Sequence, residues 1–329
     1  MAKIAVLGSG AWGTALGDLL LENKNEVLFY GVDSSEIDDI NKGLNSRYFG
    51  DKKIHGNPKA TLNTKDVIAF KPTYILIAVP ASFIVSTISK IINDIDWPCT
   101  FINVAKGLDS KTNDVWSKSI NAIISSKQCK LVTLMGPSFA VDVFAQVPTI
   151  VNLLQEDIEL ASEVAKLFNN YRFACVPSTD VIGGQITSAL KNVLAVICGY
   201  VDNLSINTKA AIFCEGIKEI YNFVKIYGGK ADTIVDFCGI GDIYLTCTDS
   251  KSRNFTLGLE LQENDYDNTP SKLTNKTVEG YVTFPIIYDF IKKNNVKAPL
   301  FEEFYDLLYN NSVSKENFIA ELFKKICSK

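Results

Sequence analysis

A glycine triplet near the start of the chain constrains the fold more than any other feature of the sequence. Gly8, Gly10 and Gly13 follow an apolar run of strand length, Lys3–Leu7, in the spacing G-x-G-x-x-G. A helix-like pattern comes next, and a second apolar run ends shortly before Asp33, 20 residues past Gly13. Such a triplet between a strand and a helix, with an acid at the end of the next strand, predicts a dinucleotide-binding unit.

Each glycine has its own part in that prediction. Gly8 allows a tight turn, Gly10 lets the backbone approach a pyrophosphate, and Gly13 lets the helix pack closely on the strand. The N–H groups at the start of the helix would face the phosphates, and Asp33 could accept a hydrogen bond from a ribose 2′-hydroxyl. The alternative is a glycine-rich turn in another kind of α/β protein, which the surrounding pattern disfavours.

The composition is that of a soluble globular protein. Of 329 residues, 47% are hydrophobic and 21% are charged, which suits two domains with sizeable cores. The net charge is −4 and no basic run stands out, so nucleic-acid binding is not expected. The first strand leaves no room for a signal peptide, and no apolar run reaches about 18 residues. We therefore expect a cytoplasmic protein without a membrane span.

Cysteine, histidine and arginine usage narrows the chemistry. The eight cysteines are scattered without a C-x-x-C motif, and the single histidine, His55, lies in a predicted loop. Neither a metal site nor a histidine general base is expected, and scattered thiols suit a reducing compartment. Only three arginines occur, Arg47, Arg172 and Arg253, so each is a candidate for a bidentate contact with an anion.

Strand and helix patterns alternate through the first half of the chain. Further strands are predicted at 74–79, 100–104, 130–135, 149–154 and 173–176, and helices at 34–40, 81–95, 113–125 and 158–169. Ser34 or Ser35 would cap the first of these helices, with Asp38 closing a capping box. The alternation predicts an α/β fold with a doubly wound, mostly parallel sheet.

The pattern changes near Pro177, where the alternation stops and helix follows helix. We therefore predict an N-terminal Rossmann domain for dinucleotide binding over residues 1–177 and an all-helical substrate-binding domain over 178–329. Polar, turn-rich stretches at 42–58 and 264–277 are predicted surface loops.

The sharpest oddity is a lysine inside an otherwise apolar helical segment, 186–200. Lys191 and Asn192 would be buried there, and a buried ammonium must be paired with an acid or deprotonated. Asp242, in a second apolar segment, is the candidate partner, and Thr246 lies one helical turn after it. A buried lysine with a lowered pKa makes a usable acid or base. The alternative is a lysine whose ammonium reaches the surface.

Polar residues also follow predicted strand ends, where ligands bind in open α/β sheets. Lys106 stands past one such end, and Gly136 and Ser138 stand past another. An ordinary surface lysine is the alternative for Lys106. Farther along, Arg253 could fork onto a phosphate with Asn254 as a second donor, and a solvated turn is an equal alternative there.

Seven motifs, in this order, resemble the bacterial type of NAD(P)-dependent glycerol-3-phosphate dehydrogenase over nearly the whole chain. They are G-S-G-A-W-G-T-A-L (8–16), A-K-G-L (105–108), G-P-S-F-A (136–140), A-L-K-N-V-L-A (189–195), G-I-G-D-I-Y-L-T-C-T (239–248), S-R-N (252–254) and V-E-G-Y (278–281). The resemblance implies reversible hydride transfer between sn-glycerol 3-phosphate and dihydroxyacetone phosphate. It also implies that the protein supplies glycerol 3-phosphate for phospholipid synthesis and that its partner is a small phosphorylated substrate. A homodimer is possible.

The motifs and the resemblance together give the candidate site residues. Lys191 is the implied catalytic acid/base, and the other catalytic candidates are Asp242, Lys106, Thr246 and Asn192. The candidate substrate contacts are Lys106, Gly136, Ser138, Lys191, Asp242, Ser252, Arg253 and Asn254. The candidate cofactor contacts are Gly8, Ser9, Gly10, Ala11, Trp12, Gly13, Val32, Asp33, Lys106, Ala140, Arg253, Thr277 and Glu279.

The sequence departs from the family pattern at Val32, where many members carry arginine or histidine near the adenosine 2′-phosphate. Because Asp33 can accept from a ribose hydroxyl and Val32 offers no positive charge, we expect NADH to be preferred over NADPH, with NADP still usable. Two alternatives stay open at this stage. One is a two-domain dehydrogenase acting on a β-hydroxy acid, and the other is a non-catalytic protein that senses NAD(P)H.

Overall fold

The structure, a computed structural model, describes residues 1–263, 278–310, 312–314 and 317–328. The chain forms two compact units, Met1–Val181 and Ile182–Lys329. The boundary predicted at residue 177 lies close to this division. The cofactor-binding and substrate-binding roles assigned to the two domains stay predictions.

One eight-stranded sheet forms the centre of the first unit, and a small hairpin accompanies it. The strands are β1 Lys3–Leu7, β2 Glu26–Tyr30, β3 Lys59–Thr61, β4 Tyr74–Ile77, β5 Cys99–Asn103, β6 Leu108–Asp109, β7 Asp114–Val115, β8 Cys129–Met135, β9 Thr149–Leu154 and β10 Phe173–Ser178. In the sheet they run in the order β10-β9-β8-β5-β4-β1-β2-β3, and β6 pairs with β7. Neighbours in the sheet are parallel except β8 with β9. The predicted mostly parallel sheet is confirmed.

Helices cover both faces of this sheet. They are α1 Ala11–Glu22, α2 Ser34–Asn41, α3 Ser46–Phe49, α4 Thr64–Phe70, α5 Ile84–Ser89, α6 Trp116–Ile124, α7 Ala140–Phe144 and α8 Ile158–Phe168. One apolar cluster joins the sheet to α1, α7 and α8, and a second joins it to α4, α5 and α6. A strand buried on both faces must be apolar along its whole length, which is why the sequence predicted these strands.

The strand order places a switch point beside β1. From β1 the chain builds outward through β2 and β3 on one side, and through β4, β5 and β8 on the other. In open α/β sheets, ligands bind at such a point, beyond the carboxyl ends of the strands.

Four local predictions were wrong in detail. Asp33, not Ser34 or Ser35, caps α2: its carboxylate accepts from Ser35 N at 2.9 Å and Glu36 N at 3.4 Å, because it sits in extended backbone at the N-cap position. The predicted capping box between Ser35 and Asp38 therefore does not start this helix.

The other three corrections concern two helices and a loop. The helix predicted at 81–95 is reduced to α5 between two short 3₁₀ turns, since its run of β-branched residues has low helix propensity. The helix predicted from 113 begins only at Trp116, because Asn113 adopts a left-handed φ of +55° beside the hairpin of β6 and β7. The stretch 42–58, predicted as irregular, contains α3.

The second unit is helical, and its described residues include no strand. Its α-helices are α9 Val181–Tyr200, α10 Ile206–Tyr227, α11 Asp242–Thr248, α12 Arg253–Glu263, α13 Glu279–Asn294, α14 Pro299–Tyr305 and α15 Phe318–Cys327. The predicted buried helix at 186–200 is confirmed as part of α9. By length and composition α9 could also cross a membrane, but its most apolar window is 89% buried inside the protein, as in a core helix. The loop predicted at 264–277 lies outside the described residues.

Candidate active site

The glycine loop after β1 has the backbone that its sequence predicts. Gly8 has φ +120°, in the region that favours glycine, and its N–H donates to Tyr30 O at 2.8 Å. A Cβ on Gly13 would lie 2.1 Å from the carbonyl oxygen of Gly8, so the close packing of helix on loop requires glycine there. A Cβ on Gly10 would meet only open space, with the Tyr48 hydroxyl 4.0 Å away.

That open space at Gly10 fits a pyrophosphate. Gly10 is the N-cap of α1 and no side chain caps this helix, so its first-turn N–H groups are turned toward the loop. Ala11 and Trp12, the next two residues, are partly exposed beside it. These residues fit the dinucleotide cofactor that the motif predicts.

Beyond the carboxyl end of β2, charged groups surround the loop. Ser9 Oγ donates to Glu36 Oε2 at 2.6 Å, and Glu36 Oε1 accepts from Arg47 Nη1 at 2.9 Å and from the Tyr48 hydroxyl at 3.2 Å. Arg47 Nη1 also lies 3.4 Å from Asp33 Oδ2. The sequence analysis selected Asp33 and Ser9 but gave no role here to Glu36 or Tyr48.

The two residues that the cofactor prediction placed at this edge differ in their surroundings. Val32 is 84% exposed. The Asp33 carboxylate is held by the hydroxyl and N–H of Ser35 and by the N–H of Glu36, and with Arg47 these keep its pKa below the usual aspartate value. Asp33 is thus ionised and already hydrogen-bonded before any ribose arrives.

A second group of candidates follows β5 and β8. Lys106 Nζ donates to Gly136 O at 3.3 Å, and Ser138 Oγ donates to the same oxygen at 3.1 Å. The three residues meet because β5 and β8 are parallel neighbours whose carboxyl ends lie at one edge of the sheet. Ala140 begins α7 just after them.

In the second unit, Lys191 lies in the core with 2% exposure. Its Nζ donates to Thr246 Oγ1 at 2.8 Å and to Asn192 Oδ1 at 3.2 Å, and it lies 3.5 Å from Asp242 Oδ1. The prediction that this lysine is buried and paired with Asp242 is confirmed, and the alternative of a surface lysine is wrong. Asp242 itself is fully buried, so the pair is shielded from water on both sides.

The amide of Asn192 links this pair to α13. While its Oδ1 accepts from Lys191, its Nδ2 donates to Glu279 Oε2 at 3.0 Å. Asn254 Oδ1 accepts from Gly280 N at 2.8 Å, which holds the start of α12 to the start of α13. The Asn192–Glu279 link joins two candidates that the sequence analysis had treated separately.

The remaining candidates vary in their surroundings. Ser252 is buried, and its hydroxyl accepts from Phe255 N at 3.3 Å at the start of α12. Arg253 is exposed at that helix start. Thr277 lies outside the described residues.

Two residues singled out by scarcity have structural contacts instead. Arg172 is 3% exposed, and its Nε and Nη2 both bind Glu22 Oε2 while its Nη1 donates to Val143 O. The imidazole of His55 binds Asp18, with Nδ1 2.9 Å from Oδ1. Burial raises the pKa of Asp18, against the opposing effect of His55.

Comparison with known proteins covers nearly the whole chain. A family model described as NAD-dependent glycerol-3-phosphate dehydrogenase N-terminus matches residues 3–161, and one described as the C-terminus of the same family matches 180–318. A glycerol-3-phosphate dehydrogenase (NAD(P)+) of Malacoplasma penetrans (strain HF-2) is 38% identical over 320 residues, covering 95% of this chain and 94% of that protein. One of Staphylococcus carnosus (strain TM300) is 34% identical, with 94% of each chain covered.

Solved structures show the same likeness. The crystal structure of glycerol-3-phosphate dehydrogenase from Coxiella burnetii superposes with a TM-score of 0.87 at 28% identity, over 98% of this chain and 99% of that one. A D-mandelate dehydrogenase, at 15% identity and a TM-score of 0.57, shares the fold alone. On sequence, fold and family models together, this chain belongs to the NAD-dependent glycerol-3-phosphate dehydrogenase family.

Proposed function

We propose that this protein interconverts sn-glycerol 3-phosphate and dihydroxyacetone phosphate with NAD(H) or NADP(H). The observation that carries the proposal is a lysine amine buried beside Asp242 and Thr246 in a chain of this family. The bound nicotinamide would supply or accept the hydride at C2, which is the cofactor's own chemistry. The protein's task is to bind, to orient and to move one proton.

Lys191 would move that proton. In the reducing direction its ammonium gives a proton to the C2 oxygen as the carbonyl becomes a hydroxyl, and in the oxidising direction the neutral amine takes it back. Lys191 Nζ donates to Thr246 Oγ1 and Asn192 Oδ1, and it lies 3.5 Å from Asp242 Oδ1. These contacts fix the direction of Nζ.

The groups at the start of α12 would hold the substrate phosphate. Arg253 is exposed there, and its guanidinium can make a bidentate contact with phosphate oxygens. The side-chain oxygen of Asn254 accepts from Gly280 N, and its amide nitrogen is a second possible donor to the phosphate. The roles of Lys106, Gly136, Ser138 and Ser252 toward substrate stay predictions of the sequence.

Loss of the Arg253 guanidinium should weaken substrate binding more than turnover. We expect Arg253→Gln to raise KM for dihydroxyacetone phosphate about tenfold or more, because a charge-assisted contact is lost, with a smaller change in kcat. Steady-state kinetics at saturating NADH measure this. Arg253→Lys is the matched control, since it keeps the charge but loses the bidentate geometry. Its KM for dihydroxyacetone phosphate should lie between those of wild type and Arg253→Gln. An unchanged KM in Arg253→Gln would remove Arg253 from the phosphate site.

The activity itself is tested by following NADH absorbance after adding dihydroxyacetone phosphate, and repeating the assay with NADPH. Turnover with dihydroxyacetone phosphate and none with a β-hydroxy acid lacking a phosphate supports the proposal. Turnover of the hydroxy acid alone favours the β-hydroxyacid dehydrogenase. Tight NADH binding without any turnover favours a sensing protein.

The proposal extends to role, location and assembly. We propose that the enzyme works in the cytoplasm, provides glycerol 3-phosphate for phospholipid synthesis, and forms a homodimer. Light scattering tests the assembly: a mass twice the 36.3 kDa of the chain supports a dimer, and 36.3 kDa excludes one.

A further inference from the structure

The acid at the end of β2 does not stand alone. Asp33 Oδ1 already accepts from Ser35 Oγ at 2.6 Å and from the first N–H groups of α2, and Oδ2 faces Arg47 at 3.4 Å. A ribose hydroxyl arriving at this carboxylate therefore meets an oxygen next to a guanidinium. The chemistry at this edge is set by Asp33 and Arg47 together.

Glu36 ties Arg47 to the glycine loop. Its side chain is only 8% exposed, and it accepts from Ser9 Oγ, from Arg47 Nη1 and from the Tyr48 hydroxyl. Asn45, two residues before Arg47, donates to Ser9 O at 2.8 Å. These contacts hold the backbone of Arg47 close to the loop where the cofactor phosphates would lie.

The Arg47 side chain itself lies at the surface. The side chain of Arg47 is 63% exposed, and its centre lies 5.5 Å from the ring centre of Tyr48. The ion pair with Asp33, whose side chain is 42% exposed, is of the kind that contributes little to stability, so it can exchange for a stronger partner. A cleft of about 300 Å³ opens beside Arg47, and its lining carries one further cation, Lys42, together with three acids, Glu36, Asp38 and Asp39.

The charges decide which cofactor this edge accepts. Without Arg47, the carboxylates of Asp33 and Glu36 would face a 2′-phosphate with like charge. Val32, 84% exposed, supplies no positive charge. A guanidinium binds phosphate oxygens in bidentate fashion, whereas a ribose 2′-hydroxyl needs only an acceptor.

We propose that Arg47 determines whether the protein accepts NADPH beside NADH. With NADH, Arg47 stays on the two carboxylates and neutralises part of their charge. With NADPH, it turns to the 2′-phosphate. The inference rests on the cofactor site proposed above, and it assigns the choice of cofactor to a residue of α3 rather than to the positions directly after β2.

Direct binding tests this without turnover. NADH and NADPH are titrated separately against wild type, Arg47→Met and Arg47→Lys at fixed ionic strength, and the fluorescence change gives each Kd. In Arg47→Met we expect Kd for NADPH to rise about tenfold or more, while Kd for NADH stays within about threefold. In Arg47→Lys, which keeps the charge but not the bidentate geometry, the Kd for NADPH should lie between those of wild type and Arg47→Met.

A reciprocal variant gives a change of opposite sign. Asp33→Asn keeps a good helix cap but removes one negative charge, so the ratio of Kd for NADPH to Kd for NADH should fall below that of wild type. Equal weakening of both cofactors by Arg47→Met, or an unchanged ratio, overturns the role of Arg47. Failure of wild type to bind either cofactor would instead overturn the proposed function.

Discussion

Replacing Lys191 by methionine should lower kcat about a hundredfold or more, because loss of a general acid/base typically costs that much. Methionine keeps most of the volume and burial of the side chain while removing the amine. The measurement is steady-state reduction of dihydroxyacetone phosphate at saturating NADH. The Kd for NADH, measured by fluorescence, should change little, which separates lost chemistry from lost binding.

The matched control for this variant is Lys191→Arg. It keeps a cation beside Asp242 but places a group that does not deprotonate near neutral pH, so it should be nearly as inactive as methionine. Turnover within about tenfold of wild type in both variants would show that another group moves the proton.

Replacing Asp242 by asparagine should destabilise the second unit by about 3 kcal/mol, because breaking a buried ion pair leaves a charge without its counter-ion. Asp242 is fully buried and Lys191 nearly so, and only 3.5 Å separates their charged atoms. Urea unfolding measures the change. The probe must be far-UV circular dichroism, since all three tryptophans, Trp12, Trp97 and Trp116, lie in the first unit.

The double variant Lys191→Met, Asp242→Asn separates stability from catalysis. With both charges removed, most of the lost unfolding free energy should return, because a buried ion pair contributes little net stability over neutral groups of similar volume. Turnover should stay as low as in Lys191→Met. If the double variant is as unstable as the sum of the single variants, the two residues do not interact as the geometry indicates.

Much of the fold could be predicted because its signals are local. A strand buried on both faces must be a continuous apolar run, so β4 and β9 stood out in the sequence. The buried position of Lys191 followed in the same way, from an apolar pattern on every side of a helix. Its pairing with Asp242 was predicted because each charge, buried without a partner, would carry a large desolvation free energy.

Other features of the site depend on contacts that no local pattern records. Glu36 and Arg47 meet across two helices and an irregular link, and nothing in their spacing predicts that both would reach the glycine loop. Arginine scarcity marked Arg47 and Arg172 alike, yet one is exposed beside the loop and the other is buried against Glu22. The hydrogen bond between Asn192 and Glu279 joins residues 87 positions apart.

The residues alone were enough to infer the class of fold, the glycine loop and the buried lysine, and the motifs were enough to infer the family. The first three follow from which residue types can tolerate a given backbone or a given degree of burial, and the family follows from the resemblance of the motifs. Packing supplied the contacts that the residues alone did not predict: Arg47 beside Asp33, Glu36 beside Ser9, and Glu279 beside Asn192. These contacts of about 3 Å join groups 14, 27 and 87 positions apart, so they exist only after the helices have packed.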